Sequence, residues 1–262
     1  MPINDSDVRY WNSPAPNEAT CRALRDPVIV LPLAATEQHG PHLPLSTDVD
    51  IGLGILNETF LRLDRSIPAW TLPIETVGAS LEHVRYDGIT SVTPNELVQT
   101  IFNHGERLST LGIRRLVISN SHGGNSAPIE SAALRLREEC ELLVVKANYY
   151  RFERPVDIDL PEIEWRHGLH GGAVETAMML HLRQESVRTD AINTFPSIAE
   201  ELETRGSRIL PTGPAAFAWL AGDLNPLGVV GDATLASEEL GSKLIVHYAA
   251  ILADIIKDAY HF

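Results

Sequence analysis

The chain predicts an α/β fold: a single three-layer α/β/α domain, residues 1–262, built around a mostly parallel central sheet. Three observations carry that expectation. Short apolar runs alternate with helix-length amphipathic segments, the order that strands joined by crossover helices produce. The strand-like runs are apolar throughout rather than alternating, as in strands covered on both faces. A length of 262 residues with 44% hydrophobic content suffices for one large buried core.

The elements follow in order. Residues 28–33 (VIVLPL) read as a buried strand. Residues 48–63 have helical spacing, with Ile51, Ile55, Leu56 and Phe60 on one face. Residues 69–74 read as a second strand. Residues 94–111 read as a helix, with Thr93 as N-cap and Pro94 at the first helical position. A third strand is expected at 115–119 (RLVIS), a helix at 125–140 and a fourth strand at 142–147 (LLVVKA). Helices at 173–182 and 240–260 complete the set. Residues 152–164 are charged and contain proline, which suits a loop beside the site. Residues 186–232 are rich in Pro, Gly and polar residues and give no clear assignment.

Bulk properties narrow the function. A net charge of -14 argues against nucleic acid as a partner and suits an enzyme acting on a small molecule. No run of eighteen apolar residues occurs, so no membrane helix is expected. The opening MPINDSDVRYW is acidic where a signal peptide is basic, which predicts a cytoplasmic protein. Cys21 and Cys140 form no CxxC pair, so they are expected as reduced thiols and not as zinc ligands.

In open parallel sheets, ligands gather at the carboxyl ends of the strands. Three polar segments fall there: Glu37, His39, His42 and Asp48 after the first strand, NSHGGN (residues 120–125) after the third, and HGLHGGAVE (residues 167–175) beyond the fourth. Carboxylates and imidazoles are the ligands that Zn, Mn and Fe accept. Glu37 and His39 stand two apart, so an extended segment points both to one side. Asp48, with two oxygens, can bridge two ions. Taken singly, each residue has a plainer reading. Glu37 could be a loop acid, His39 a core histidine, Asp48 an N-cap, and Glu175 a helix-start carboxylate. His42, His104, His167, His181, His247 and His261 read as structural or surface groups. No GxSxG, GxGxxG or GK[ST] is present, which excludes serine-nucleophile, dinucleotide and P-loop chemistry.

Four segments also resemble one known family. LPLAATEQHGPHLPLSTDVDIG resembles the creatininase (creatinine amidohydrolase) signature, in which an apolar strand leads to EQHGPHLP and then an Asp. NSHGGN resembles its NGHGGN, with Ser121 where Gly is usual. HGGAVETAMML resembles its HxGxxET helix entry, and ASLEHVRYDGITSV its EHxxFPGTxS segment. The resemblance implies two divalent ions (Zn, Mn or Fe), hydrolysis of a small cyclic amide, formamide or similar C–N bond by metal-activated water, and a homo-oligomer, with a hexamer favoured. It implies Glu37, His39, Asp48, His122 and Glu175 as metal ligands, Asp48 bridging, and His170 in proton transfer. Glu82 and His83 would line the pocket or support the ligands. Where creatininases carry a Glu ligand, two residues after the motif histidine, stands Gly124. Where they use tryptophans around the substrate ring, Tyr150 and Arg166 are expected, with His167 beside them. These departures point away from creatinine as substrate, toward an anionic or polar amide. Other family members include a formamide deformylase and a peptidase that trims a cofactor precursor; a metal-binding protein without catalysis is the remaining alternative.

Overall fold

The computed structural model describes residues 8–11 and 26–262; the signal-peptide reading and Cys21 fall largely or wholly outside them. Four parallel strands form the central sheet. In chain order the elements begin with β1 (Val28–Leu33), α1 (Thr47–Arg62), β2 (Ala69–Thr71), α2 (Pro94–Thr110), β3 (Arg115–Asn120), α3 (Ser126–Cys140) and β4 (Leu143–Asn148). Strand order is β2-β1-β3-β4, with β1 and β3 paired over their whole length from Val28↔Arg115 to Leu33↔Asn120. Then follow α4 (Glu162–His167), α5 (Ala173–Leu182), β5 (Thr194–Phe195), α6 (Ile198–Thr204), α7 (Ala221–Leu224), β6 (Gly231–Asp232) and α8 (Glu238–His261).

The period-2 geometry of strands sorts the core into two halves. Val28 and Val30 of β1 and Val117 of β3 face a cluster with α1, α5 and α8. Ile29, Leu31, Leu33, Leu116 and Ile118 face the other way, against α2 and α3. That is the three-layer α/β/α arrangement the sequence predicts. Each buried Leu or Ile is worth about 1.5–3 kcal/mol relative to exposure, so both halves stabilise the sheet strongly. Thr93 caps α2 as expected. Its hydroxyl accepts the Glu96 N–H, and the Glu96 carboxylate accepts the Thr93 N–H at 2.8 Å, closing a capping box.

Three expectations need correction. The second strand ends at Thr71, not at residue 74, because Pro73 has no N–H for a ladder; pairing resumes only as an isolated bridge, Leu33↔Glu75. The charged segment 152–164 is not all loop: Glu164 belongs to α4 and is buried, with its carboxylate accepting the N–H groups of Ala173 and Asp232 at 2.7 and 2.6 Å. The unassigned stretch 186–232 resolves into the two-residue antiparallel pair β5–β6 and the short helices α6 and α7.

The long helix α8 lies tightly across α5. A Cβ added at Gly241 would run into the Ala177 carbonyl oxygen, which is backbone and cannot swing aside. Gly241→Ala should therefore destabilise the fold by about 1–3 kcal/mol, as overpacking does, read as a lowered urea midpoint with an unchanged m value. An unchanged midpoint would mean the two helices can separate freely.

Candidate metal centre

The site lies at the carboxyl ends of β1, β3 and β4, where three segments converge. The first, residues 36–46, doubles back on itself. Glu37 N–H donates to Leu45 O at 3.1 Å, and His39 and Leu43 form an antiparallel bridge. Gly40 makes the reversal with φ of 73°, and Val229 lies 2.8 Å from where a Cβ would stand, so a side chain is excluded twice over. The reversal brings Asp48, in the first turn of α1, back beside His39. Asp48 is no helix cap: Ser46 holds the cap position, and Asp48 is 2% exposed with its side chain turned inward.

One carboxylate faces two imidazoles. Asp48 Oδ1 is 3.4 Å from His39 Nε2, and Asp48 Oδ2 is 3.1 Å from His122 Nδ1. Glu37 Oε1 lies 3.2 Å from the same His122 nitrogen, and Glu175 Oε2 lies 3.9 Å from His39 Nε2. The other imidazole nitrogens are engaged elsewhere. His39 Nδ1–H donates to Glu37 O at 3.2 Å, and His122 Nε2–H to Ala79 O at 3.1 Å. In its neutral form each ring therefore turns a lone pair toward Asp48, a tautomer set by backbone carbonyls as in metal-ligating histidines.

Backbone and amide groups hold this geometry. Asn120 donates to His122 O at 2.7 Å and accepts the His122 N–H at 3.2 Å; Asn125 donates to Ala34 O and accepts the Ala79 N–H. Ser121, where the family signature has Gly, donates to the Asp48 backbone carbonyl at 2.8 Å, and Gly52 leaves room for its hydroxyl. Glu175 accepts the Gly171 N–H at 2.6 Å and the Tyr149 hydroxyl at 3.3 Å. His42 is structural, as expected: buried, stacked on Phe195, it bonds Gly171 O and Thr176 Oγ1 and pins the loop before α5.

His170 and His83 close the cluster. Their rings lie 4.4 Å apart, and His170 lies 4.1 Å from His39. His170 Nε2–H donates to Gln38 O at 2.7 Å, leaving Nδ1 free, 3.7 Å from Glu37 Oε1. His83 Nε2 is 3.6 Å from the same oxygen. Glu82 stands behind the other imidazole, 3.4 Å from His122 Nε2. Gly124 is obligatory here, because a Cβ would collide with Ala79 O and crowd Glu82 and His122.

A cavity of about 800 Å³ opens over the cluster, lined by Glu82, His83, Gly124, Tyr150 and His170 among others. Arg166 and His167, expected in its wall, are not there. On α4 the Arg166 side chain pairs with Glu203 at 3.0 Å and Glu162 at 3.7 Å, and His167 Nε2 sits 3.1 Å from Glu203. Helical rotation turns Trp165 inward in their place. Trp219, Tyr149 and Arg151 also line the cavity and were not anticipated. The YYR run directly after the fourth strand was the available signal for two of them; Trp219 lies in the stretch without readable periodicity.

The donor set suits divalent cations. Glu37 Oε2, His39 Nε2 and Asp48 Oδ2 are buried without hydrogen-bond partners, which is costly for polar atoms unless a cation meets them. Three groupings have ligand atoms close enough to share an ion: His39–Asp48–Glu175, Glu37–Glu82–His122 and Glu37–His39–His170. Burial opposes charge on His39, but Asp48, Glu175 and Glu37 outweigh it and hold its pKa up at about 9. His122 is likewise held well above its usual value: burial works against its charge, and Glu37 and Asp48 prevail. Burial works to raise the Glu37 pKa, yet the surrounding His122, His170 and His39 keep it below the usual carboxylate range. Burial drives His83 down to about 3, assisted by His170, so it stays neutral.

A parallel sheet with buried carboxylates and imidazoles at its carboxyl edge defines a candidate metal-binding enzyme site. The creatininase (creatinine amidohydrolase) family profile matches residues 15–256, and the chain belongs to that family. It is 33% identical over 227 residues to a mycofactocin precursor peptide peptidase of Mycobacterium ulcerans, covering 83% of this chain and 80% of that protein. It is 28% identical to a creatinine amidohydrolase of Pseudomonas putida, covering 91% and 92%. A solved manganese form of creatininase superposes with a TM-score of 0.72 at 26% identity, covering 93% and 94% of the two chains. The chain is accordingly an enzyme, a hydrolase of amide C–N bonds. Among the described residues no helix is long and apolar enough to cross a membrane.

If His39 and His122 ligate a divalent ion, the ion competes with protons for their lone pairs. Loading at pH 7 should release about two protons per chain, seen as a heat that varies with the ionisation enthalpy of the buffer. Because the folded His39 pKa lies near 9, apparent affinity should keep rising from pH 7 to about 9. Affinity flat with pH, with no proton release, would show that these imidazoles are not ligands.

Proposed function

We propose that the chain is a dinuclear metal-dependent amidohydrolase acting on a small cyclic amide, formamide or similar C–N bond, and that creatinine is not its substrate. One observation carries this reading: the two oxygens of Asp48 face different imidazoles, His39 and His122, each with a second carboxylate alongside. His39 and Glu175 would hold one ion on the Oδ1 side. Glu37 and His122 would hold the other on the Oδ2 side. Zinc, manganese and iron all accept such ligands. Ions held there would supply Lewis acidity, making water more acidic and polarising a carbonyl oxygen.

The remaining steps belong to the chain's own groups. His170, anchored through Nε2 to Gln38 O, keeps Nδ1 for proton delivery to the leaving nitrogen. Glu82 steadies His122 from behind, and His83, neutral, packs against His170. Tyr150 forms one wall of the cavity, with its hydroxyl fixed by Ser126 at 2.8 Å and Asn120 at 3.0 Å. Gly124 has no side chain to supply the ligand that creatininases carry there, so Glu175 completes the set in this reading. A cavity of about 800 Å³ exceeds the needs of a small planar ring and falls in the range of larger ligands. That favours, as the second reading, a peptide substrate like that named for the mycobacterial relative, ahead of deformylation or of metal binding without catalysis. We take the whole chain as one catalytic domain of a cytoplasmic homo-oligomer, hexameric by resemblance to the family.

The test joins elemental analysis of the purified protein to a screen of cyclic amides, formamides and short peptides. About two ions per chain are expected, with turnover of at least one amide class above creatinine. Asp48→Ala should lose metal and lower the rate by more than about 100-fold. Full metal content and full rate in that variant would sink the dinuclear assignment.

A further inference from the structure

The cavity holds one group that neither the metal cluster nor the hydrolysis uses. Arg151 closes the turn Tyr149–Arg151 at the carboxyl end of β4 and lines the cavity. Among the described residues that line it, Arg151 is the sole lysine or arginine. It makes no hydrogen bond or ion pair among the described residues. Its neighbours in sequence behave otherwise: Arg154 pairs with Glu162 and Arg166 with Glu203. The cavity is otherwise acidic, with Glu37, Asp48, Glu82, Glu164 and Glu175 in its walls. An anion that enters meets one lysine or arginine there, the Arg151 guanidinium.

The turn that carries Arg151 is fixed to the metal cluster. Tyr149 donates its hydroxyl to Glu175 Oε1 at 3.3 Å, and Tyr150 is tethered to Ser126 and Asn120. Two residues of chain span at most about 7 Å between Cα atoms. Arg151, exposed, follows directly on those two anchored tyrosines, and Trp165 and Trp219 line the same cavity. A guanidinium presents a planar fork suited to carboxylate and phosphate oxygens, and it keeps its charge at any working pH.

We propose that Arg151 is an anion-recognition residue, and that the natural substrate is an amide bearing a carboxylate or phosphate monoester. This rests on the hydrolase reading for the scissile bond alone; the anion site itself is tested by binding. The Arg166 expected from the sequence to meet such a group is held outside by Glu203, and Arg151 takes its place.

The experiment is calorimetric titration of the metal-loaded protein with three probes on one skeleton: N-benzoylglycine, its carboxamide, and N-benzoyl-O-phosphoethanolamine. One anionic probe should bind about tenfold or more tighter than the carboxamide, and which one does so separates carboxylate from phosphate. Arg151→Gln should collapse that ratio, and Arg151→Lys should restore part of it. Equal affinity for all three, no measurable binding of either anion, or a ratio that survives Arg151→Gln because the ions hold the anion, each overturns the proposal. Parallel hydrolysis assays on formyl and acyl amino acids separate the two readings. Anion preference without any turnover would fail the hydrolase reading alone, and turnover without anion preference would fail Arg151 alone.

Discussion

A buried carboxylate wedged between two imidazoles sets the terms for the rest of this molecule. Asp48 is 2% exposed and meets His39 and His122 from opposite sides, with Glu37 and Glu175 completing the ring. Charges taken out of water are costly unless opposite charges and hydrogen bonds surround them. No single segment could supply all of those. The chain therefore draws these charged groups from the turn after β1, the turn after β3 and the entry to α5, and the parallel sheet holds those three places at one edge. The neutral groups nearby follow from the same need. Asn120, Asn125, Ser121 and His42 spend their hydrogen bonds on backbone atoms that orient the charged ones.

The sheet and the candidate ligands were legible in the sequence for different reasons. Apolar strand runs announce burial on both faces, and β1, β3 and β4 lie within a residue or so of where those runs predict. The candidate ligands were legible because they come in local clusters, TEQHGPH and NSHGGN, whose density no loop requires. Glu175 and His170 were legible through their place at a helix entry. The cavity wall was not. Whether α4 shows Arg166 or Trp165 to the cavity depends on its rotation about its own axis, which six residues of mixed polarity do not specify. Burial settles it: Trp165 packs against the core, and Arg166 stays outside on Glu203, far off in sequence.

The region 186–232 failed to read for a related reason. Its elements run from two to seven residues, too short to express any period. They gain order only by packing: β5 pairs with β6, Val229 fills the space beside Gly40 and Gly171, and Trp219 donates to Pro211 O at 3.0 Å. Local sequence there encodes turns, and the rest of the protein encodes their positions. The truncated β2 teaches the complementary lesson, since one proline outweighs the apolar residues on either side of it.

Gly124 ties its own position to a neighbouring loop. A Cβ there would strike the Ala79 backbone and crowd the Glu82 carboxylate that backs His122. The glutamate that the creatininase resemblance places at this position therefore cannot enter by a single substitution without displacing the loop that bears Ala79 and Glu82. Installing that carboxylate is a two-part change, one part in the turn after β3 and the other in the loop that faces it.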